Sequence, residues 1–123
     1  MSDYKHNSMN EPREADEECI TIFRAVKDEI IAEIRKLNKD DEIHDLHRMD
    51  KLKNISEFTP VLYAYEDVAF GRTYFGKIHL GDEKYIHARV HKGVDNKITF
   101  YSLWTEPDGA VWDKDTPLKY FID

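Results

Sequence analysis

Asp67-Val68-Ala69-Phe70-Gly71-Arg72-Thr73-Tyr74-Phe75-Gly76-Lys77-Ile78-His79-Leu80 runs into a glycine turn at Gly81-Asp82 and continues as Lys84-Tyr85-Ile86-His87-Ala88-Arg89-Val90-His91-Lys92. Apolar and polar residues alternate on both sides of the turn, which is the pattern of a β-hairpin with one face buried. Tyr74, Gly76, Ile78 and Leu80 share one face of the first strand, and Ile86, Ala88 and Val90 share one face of the second. Pairing Leu80 with Ile86 sets Ile78 opposite Ala88 and Gly76 opposite Val90. A one-residue slip would scatter these positions across both faces, so the register is expected to be well specified.

Working outward, Val61, Tyr63 and Tyr65 alternate after Pro60 and predict an edge or entry strand over Phe58–Asp67. On the other side, Gly93-Val94-Asp95-Asn96 reads as a turn. Ile98 to Trp104 reads as a further strand, with Ile98, Phe100 and Trp104 on one face and Thr99, Tyr101 and Leu103 on the other. Glu106-Pro107-Asp108-Gly109 is a strong turn signal. Val111-Trp112 and Leu118-Lys119-Tyr120-Phe121 close the chain. In a meander, alternate turns lie at the same end of the sheet. The Val68–Arg72 turn and the Gly93–Asn96 turn are therefore expected side by side, with Asp82 at the far end.

Upstream, residues 1–14 are polar and aperiodic and read as a flexible lead into one domain over residues 15–123. Pro12 followed by Glu14, Asp16, Glu17 and Glu18 reads as the start of a helix, since carboxylates suit its N-terminal N–H groups. Cys19, Phe23, Val26, Ile30, Ile34 and Leu37 recur at three- and four-residue steps. That spacing predicts one long amphipathic helix of about five turns. Residues 38–57, with Ile43, Leu46, Met49 and Leu52 among charges, read as an insertion between helix and sheet. The expected fold class is α+β, with the helix packed across a four- to five-stranded antiparallel sheet.

Composition bounds the partners. The 123 residues suffice for a single modest core, and the net charge of −7 argues against nucleic acid and anionic membrane. No apolar run reaches the roughly 18 residues of a membrane span. Met1 to Lys5 lacks the apolar stretch of a secretory signal, and the single cysteine, Cys19, excludes an internal disulfide. A cytoplasmic protein is the expectation.

Val68-Ala69-Phe70-Gly71, Tyr74-Phe75, Gly81-Asp82, Lys84-Tyr85-Ile86-His87 and Pro117-Leu118-Lys119-Tyr120-Phe121 resemble, in this order, the intracellular stefin branch of the cystatin superfamily. Its motifs run Gln-Val-Val-Ala-Gly, Tyr-Tyr, Gly-Asp and Lys-Tyr-Met-His. The resemblance covers about half of the chain, from Asp67 onward. It implies reversible occlusion of papain-like cysteine proteases, with no catalytic residue and no cofactor. The wedge would comprise a first loop of Asp67, Val68, Ala69, Phe70 and Gly71, a second loop of Gly93, Val94 and Asp95, and an N-terminal trunk near Met9 and Asn10. It also implies a monomer that can exchange its helix and first strand with a second copy through the Asp67–Gly71 hinge. The sequence departs from the family at the wedge itself: Asp67 replaces Gln, Phe70 replaces Ala, and no glycine precedes Gly71. The alternative is a cystatin-fold binding module that has lost protease inhibition.

Other chemistry finds little support. His79 and His87 are expected opposite each other on the outward face, and His44 and His47 on one helical face. Neither pair gains a third or fourth ligand, so both read as surface histidines, and no metal site is nominated. Cys19 lies on the apolar seam and reads as a buried structural thiol. Trp104, Tyr101 and Trp112 read as core or sheet-face aromatics. The carboxylates form no general acid/base pair, so the chain is not expected to be an enzyme.

Overall fold

The computed structural model describes residues 9–43, 55–105 and 112–122. In chain order these form β1 (Arg13–Glu14), α1 (Glu17–Ala25), α2 (Lys27–Ile43), β2 (Thr59–Val68), β3 (Gly71–Gly81), β4 (Lys84–Gly93) and β5 (Ile98–Leu103). The five strands make one open antiparallel sheet in the order β1-β2-β3-β4-β5, and the architecture is α+β. Among the described residues, no helix is long and apolar enough to cross a membrane. The predicted turn at Glu106–Gly109, together with Val111, Leu46, Met49, Leu52, His44 and His47, lies outside the described residues.

The helical layer begins at Glu17, three residues past Glu14, the first of the acidic run. Asp16 is the N-cap: its Oδ1 accepts from the Cys19 N–H at 3.0 Å, and its Oδ2 accepts from the Tyr63 hydroxyl at 2.9 Å. The one long helix of the sequence reading is two helices. At Val26 the backbone leaves helical geometry (φ −115°, ψ 18°), and its N–H donates to Phe23, three residues back, instead of four. The apolar seam continues unbroken through this joint. Cys19, Ile22, Phe23, Val26, Ile30 and Ile34 are all buried against Tyr63, Tyr74, Ile78, Ile86, Ala88 and Val90. α2 runs on to Ile43, so the first residues of the expected insertion extend the helix.

Gly76 sets how closely the two layers approach. A Cβ there would stand 2.4 Å from Cζ of Phe23, whose ring lies flat on the space that a side chain would fill. Its cross-strand partners are Tyr63 and Ala88, so the floor under the ring is cut low on one side.

The β3–β4 register differs by two residues from the expected one. Ile78 pairs with Ile86, Gly76 with Ala88 and Tyr74 with Val90. A two-residue turn at Asp82-Glu83, both at positive φ, is the cause, with an irregularity between His79 and Gly81 that absorbs Leu80. A slip of two preserves every face, so the dry side is as the alternation predicts. In β5 the faces are exchanged past the middle. Arg89 pairs with Ser102 but Val90 with Phe100, which leaves Tyr101 as an extra residue. Leu103 therefore joins Ile98 and Phe100 beneath the helices, and Trp104 turns to the opposite face.

That opposite face is also covered. Ala64, Phe75, Leu118 and Phe121 form a second buried cluster, with Met9, Leu62, Trp104 and Tyr120 packed around it. Its roof is the C-terminal segment, residues 112–122. Of the residues expected to form a flexible lead, 9–14 instead lie along β2. Arg13 pairs with Tyr63, and the Ala15 N–H reaches the Val61 carbonyl at 3.0 Å.

Candidate functional site

β2 and β3 meet in a tight turn, Ala69-Phe70, closed by the Val68–Gly71 pair. Gly71 sits at φ +142°, and a Cβ there would stand 2.1 Å from the Lys92 carbonyl oxygen. Only glycine lets the first loop pass this close to the end of β4. β4 and β5 meet in the second turn, where the Gly93 N–H donates to Lys97 at 2.9 Å and the Asn96 N–H to Gly93 at 2.9 Å. The two turns are neighbours, because the Val94 N–H donates to the Phe70 carbonyl at 3.2 Å and Gly71 pairs with Gly93. Asp82 lies at the other end of the β3–β4 hairpin, as the meander requires.

The exposed side chains concentrate here. Phe70 is 77 % exposed and Val94 78 %, and Val68 adds a partly exposed branch beside them. Large apolar side chains held in water by a hydrogen-bonded backbone are unusual unless something covers them. The N-terminal segment leads toward the same end. The Asn10 N–H donates to the Tyr65 carbonyl at 3.0 Å, and the Tyr65 N–H donates back to Asn10 Oδ1 at 2.9 Å. β1 runs antiparallel to β2, so Asn10 stands nearer the Phe70 turn than Arg13 does. Met9 packs instead into the cluster under the C-terminal segment.

Beside the turns lies an open groove of about 330 Å³, lined by Glu18, Asp67, Arg72, Tyr74 and Lys92. Asp67 accepts a 2.7 Å hydrogen bond from Nε of Arg72, its cross-strand partner. The guanidinium lies 3.9 Å over the Tyr65 ring and 3.7 Å from Glu18 Oε2. The bond to Asp67 raises the Arg72 pKa further and keeps the group charged. The Tyr74 hydroxyl donates to Glu18, and burial first, then that carboxylate, push the phenol up to about 12. The first loop is thus braced at its root by a chain that reaches from Asp67 through Arg72 to the N-terminal turn of α1.

Arg72, Glu18 and Lys92 are absent from the site as read from sequence. Arg72 was legible in principle: Asp67 and Arg72 are symmetric about a turn closed by Val68 and Gly71, so a hairpin brings their opposite charges face to face. Glu18 carried no such signal, since its approach depends on how the helix lies on the sheet. Cys19 is fully buried, and burial pushes its thiol up to about 12. His79 and His87 do not face each other, because the two-residue register change pairs His79 with Tyr85 and His87 with Lys77. His87 is not on the surface at all but fully buried. Trp104 and Trp112 stack at 4.1 Å over it. Tyr101, nearly half exposed, stacks on His91. Among the described residues, no three His, Cys, Asp or Glu side chains converge as metal ligands.

No model of a known protein family matches the chain, and no curated protein matches it either.

Proposed function

We propose that this chain has a cystatin-like fold of the stefin type and acts as a reversible, occluding inhibitor of papain-like cysteine proteases. One observation carries the reading: two turns hydrogen-bonded side by side at one end of the sheet hold Phe70 and Val94 in water. Such an edge is already in its docking shape, so little conformational entropy is lost when it enters a groove. Phe70, Val94 and Val68 supply apolar area, and the backbone of Ala69 to Gly71 supplies hydrogen-bonding groups to a desolvated cleft. The resemblance of Val68–Gly71, Gly81-Asp82 and Lys84–His87 to the stefin motifs names the cleft.

The inhibitor contributes no catalytic group and acts as a cytoplasmic monomer. Asp67, the departure from the family Gln, is compatible with this mechanism because Arg72 already neutralises and hydrogen-bonds it. A carboxylate docked without a partner would cost about 1–3 kcal/mol or more. Titration into an active papain-type protease, followed with a fluorogenic peptide, tests the proposal. Stoichiometric loss of activity that returns on dilution is the expected result. Full activity at high micromolar inhibitor would overturn it in favour of a binding module for another partner.

A further inference from the structure

On the sheet face away from the helices, His87 is completely buried, and neither of its ring nitrogens has a hydrogen-bond partner among the described residues. Trp104 and Trp112 lie over it at 5.2 and 5.9 Å. Its cross-strand neighbour Lys77 is equally buried and donates from Nζ to the carbonyls of Lys114 at 2.8 Å and Thr116 at 2.7 Å. Residues 112–116 thus form a strap pinned over the imidazole. The other pins are the paired backbone bonds between Tyr85 and Trp112 (3.0 and 2.8 Å) and the bond from Trp112 Nε1 to the Trp104 carbonyl (3.0 Å).

We propose that His87 is an acid-operated latch: a proton taken up by its ring lifts the 112–116 strap off the sheet while the helix-covered face stays closed. This does not rest on the inhibitory reading. Among the described residues the closed state has no acceptor bonded to the ring, and it places the Lys77 ammonium beside it. Burial first and Lys77 second push the imidazole down to about 3. Among the described residues, none of the other charged or titratable groups on this face hydrogen-bonds the ring. Glu66 comes from β2, His79 and Lys77 from β3, Tyr85, Arg89 and His91 from β4, and Asp113, Lys114 and Asp115 from the strap. Asp113 is occupied by the N–H groups of Asp115 and Thr116 and the Thr116 hydroxyl. Lifting the strap admits water to both ring nitrogens and restores an ordinary imidazole.

The sign follows from the lowered value. Above pH 6.5 neither state binds the proton, and the strap has its full stability. Between pH 6.5 and about 3 only the open state binds it, so the open fraction rises about tenfold per pH unit.

The chain's two tryptophans both sit at the latch, so their emission reports on it directly. The decisive measurement is amide exchange of Tyr85 and Trp112 from pH 7 to pH 5, corrected for intrinsic exchange, with Ile86 beneath the helices as control. Opening should rise about 25-fold for Tyr85 and Trp112 but not for Ile86. His87→Phe keeps the stack and has nothing to protonate, so its opening should change less than twofold. If that variant folds poorly, the His87 ring proton shift followed by NMR in the wild-type chain decides instead. It should titrate in step with Trp112 exposure. A rise that persists in His87→Phe would overturn the latch. An equal rise at Ile86, or titration of His87 with Trp112 still protected, would overturn it as well.

Discussion

Phe70→Ala is the most direct probe of the paired loops. The ring is 77 % exposed in the free chain and, in the proposed complex, becomes buried in the protease cleft. Fully burying a Phe side chain contributes about 1.5–3 kcal/mol, so the exposed portion of Phe70 stands to lose about 1–2 kcal/mol on truncation. That corresponds to a roughly 5- to 30-fold weaker inhibition constant. Val94→Ala removes less area from an equally exposed position and should weaken inhibition by roughly fivefold. Neither change should lower thermal stability, because the side chains are largely in water before docking. Glu83→Ala, in the turn at the other end of the β3–β4 hairpin, serves as control and should leave inhibition unchanged. The assay is competitive titration of a papain-type protease with a fluorogenic peptide, alongside thermal melts. The reasoning fails if Phe70→Ala inhibits as well as the parent, or if Glu83→Ala weakens inhibition to the same extent.

Three further outcomes follow from particular contacts. Long incubation with the protease should leave the chain uncut by mass spectrometry, whereas stoichiometric cleavage at Phe70 or Gly71 would make the loop a substrate. Asp67→Gln should change the inhibition constant by less than about fivefold, since it trades an exposed pair with Arg72, a class contributing about 0.2–1 kcal/mol, for a neutral hydrogen bond. A large tightening in that titration would mean that Arg72 does not shield Asp67 in the complex. Gly76→Ala should lower the melting temperature by several degrees: its Cβ meets the Phe23 ring at 2.4 Å, and overpacking of this kind costs about 1–3 kcal/mol. An unshifted melt would show that Phe23 can move aside.

The faces of β3 and the placement of the turns were legible because both depend on local periodicity. A strand repeats every two residues, so Tyr74, Ile78, Ile86 and Val90 find the dry side whatever the exact register. The neighbouring position of the Phe70 and Val94 turns follows from connectivity alone. The Val26 joint was not legible: neither proline nor glycine marks it, and the apolar spacing runs straight through. The irregularity at Tyr101 was hidden for a related reason. Ile98 to Trp104 is uniformly strand-like in composition, and nothing in it shows where one extra residue reverses the faces.

The second covered face was the least legible feature, and it also sharpens the reading of the loops. Alternation shows that a strand has two sides, but calling one of them wet assumes that nothing else covers it. Here a C-terminal segment outside the sheet, bridged to it between Tyr85 and Trp112, buries Lys77, His87 and Phe75. Polar residues that alternation assigns to solvent are therefore enclosed, and the dry side of the sheet is both sides. With helices on one face and the strap on the other, the described sheet has little apolar surface left for a partner except at its ends and edges. The Asp82-Glu83 end presents charge and positive-φ turn residues. The Phe70-Val94 end presents apolar side chains on a braced backbone. The asymmetry between these ends, more than any single motif, is what makes the paired loops the place to look for a partner.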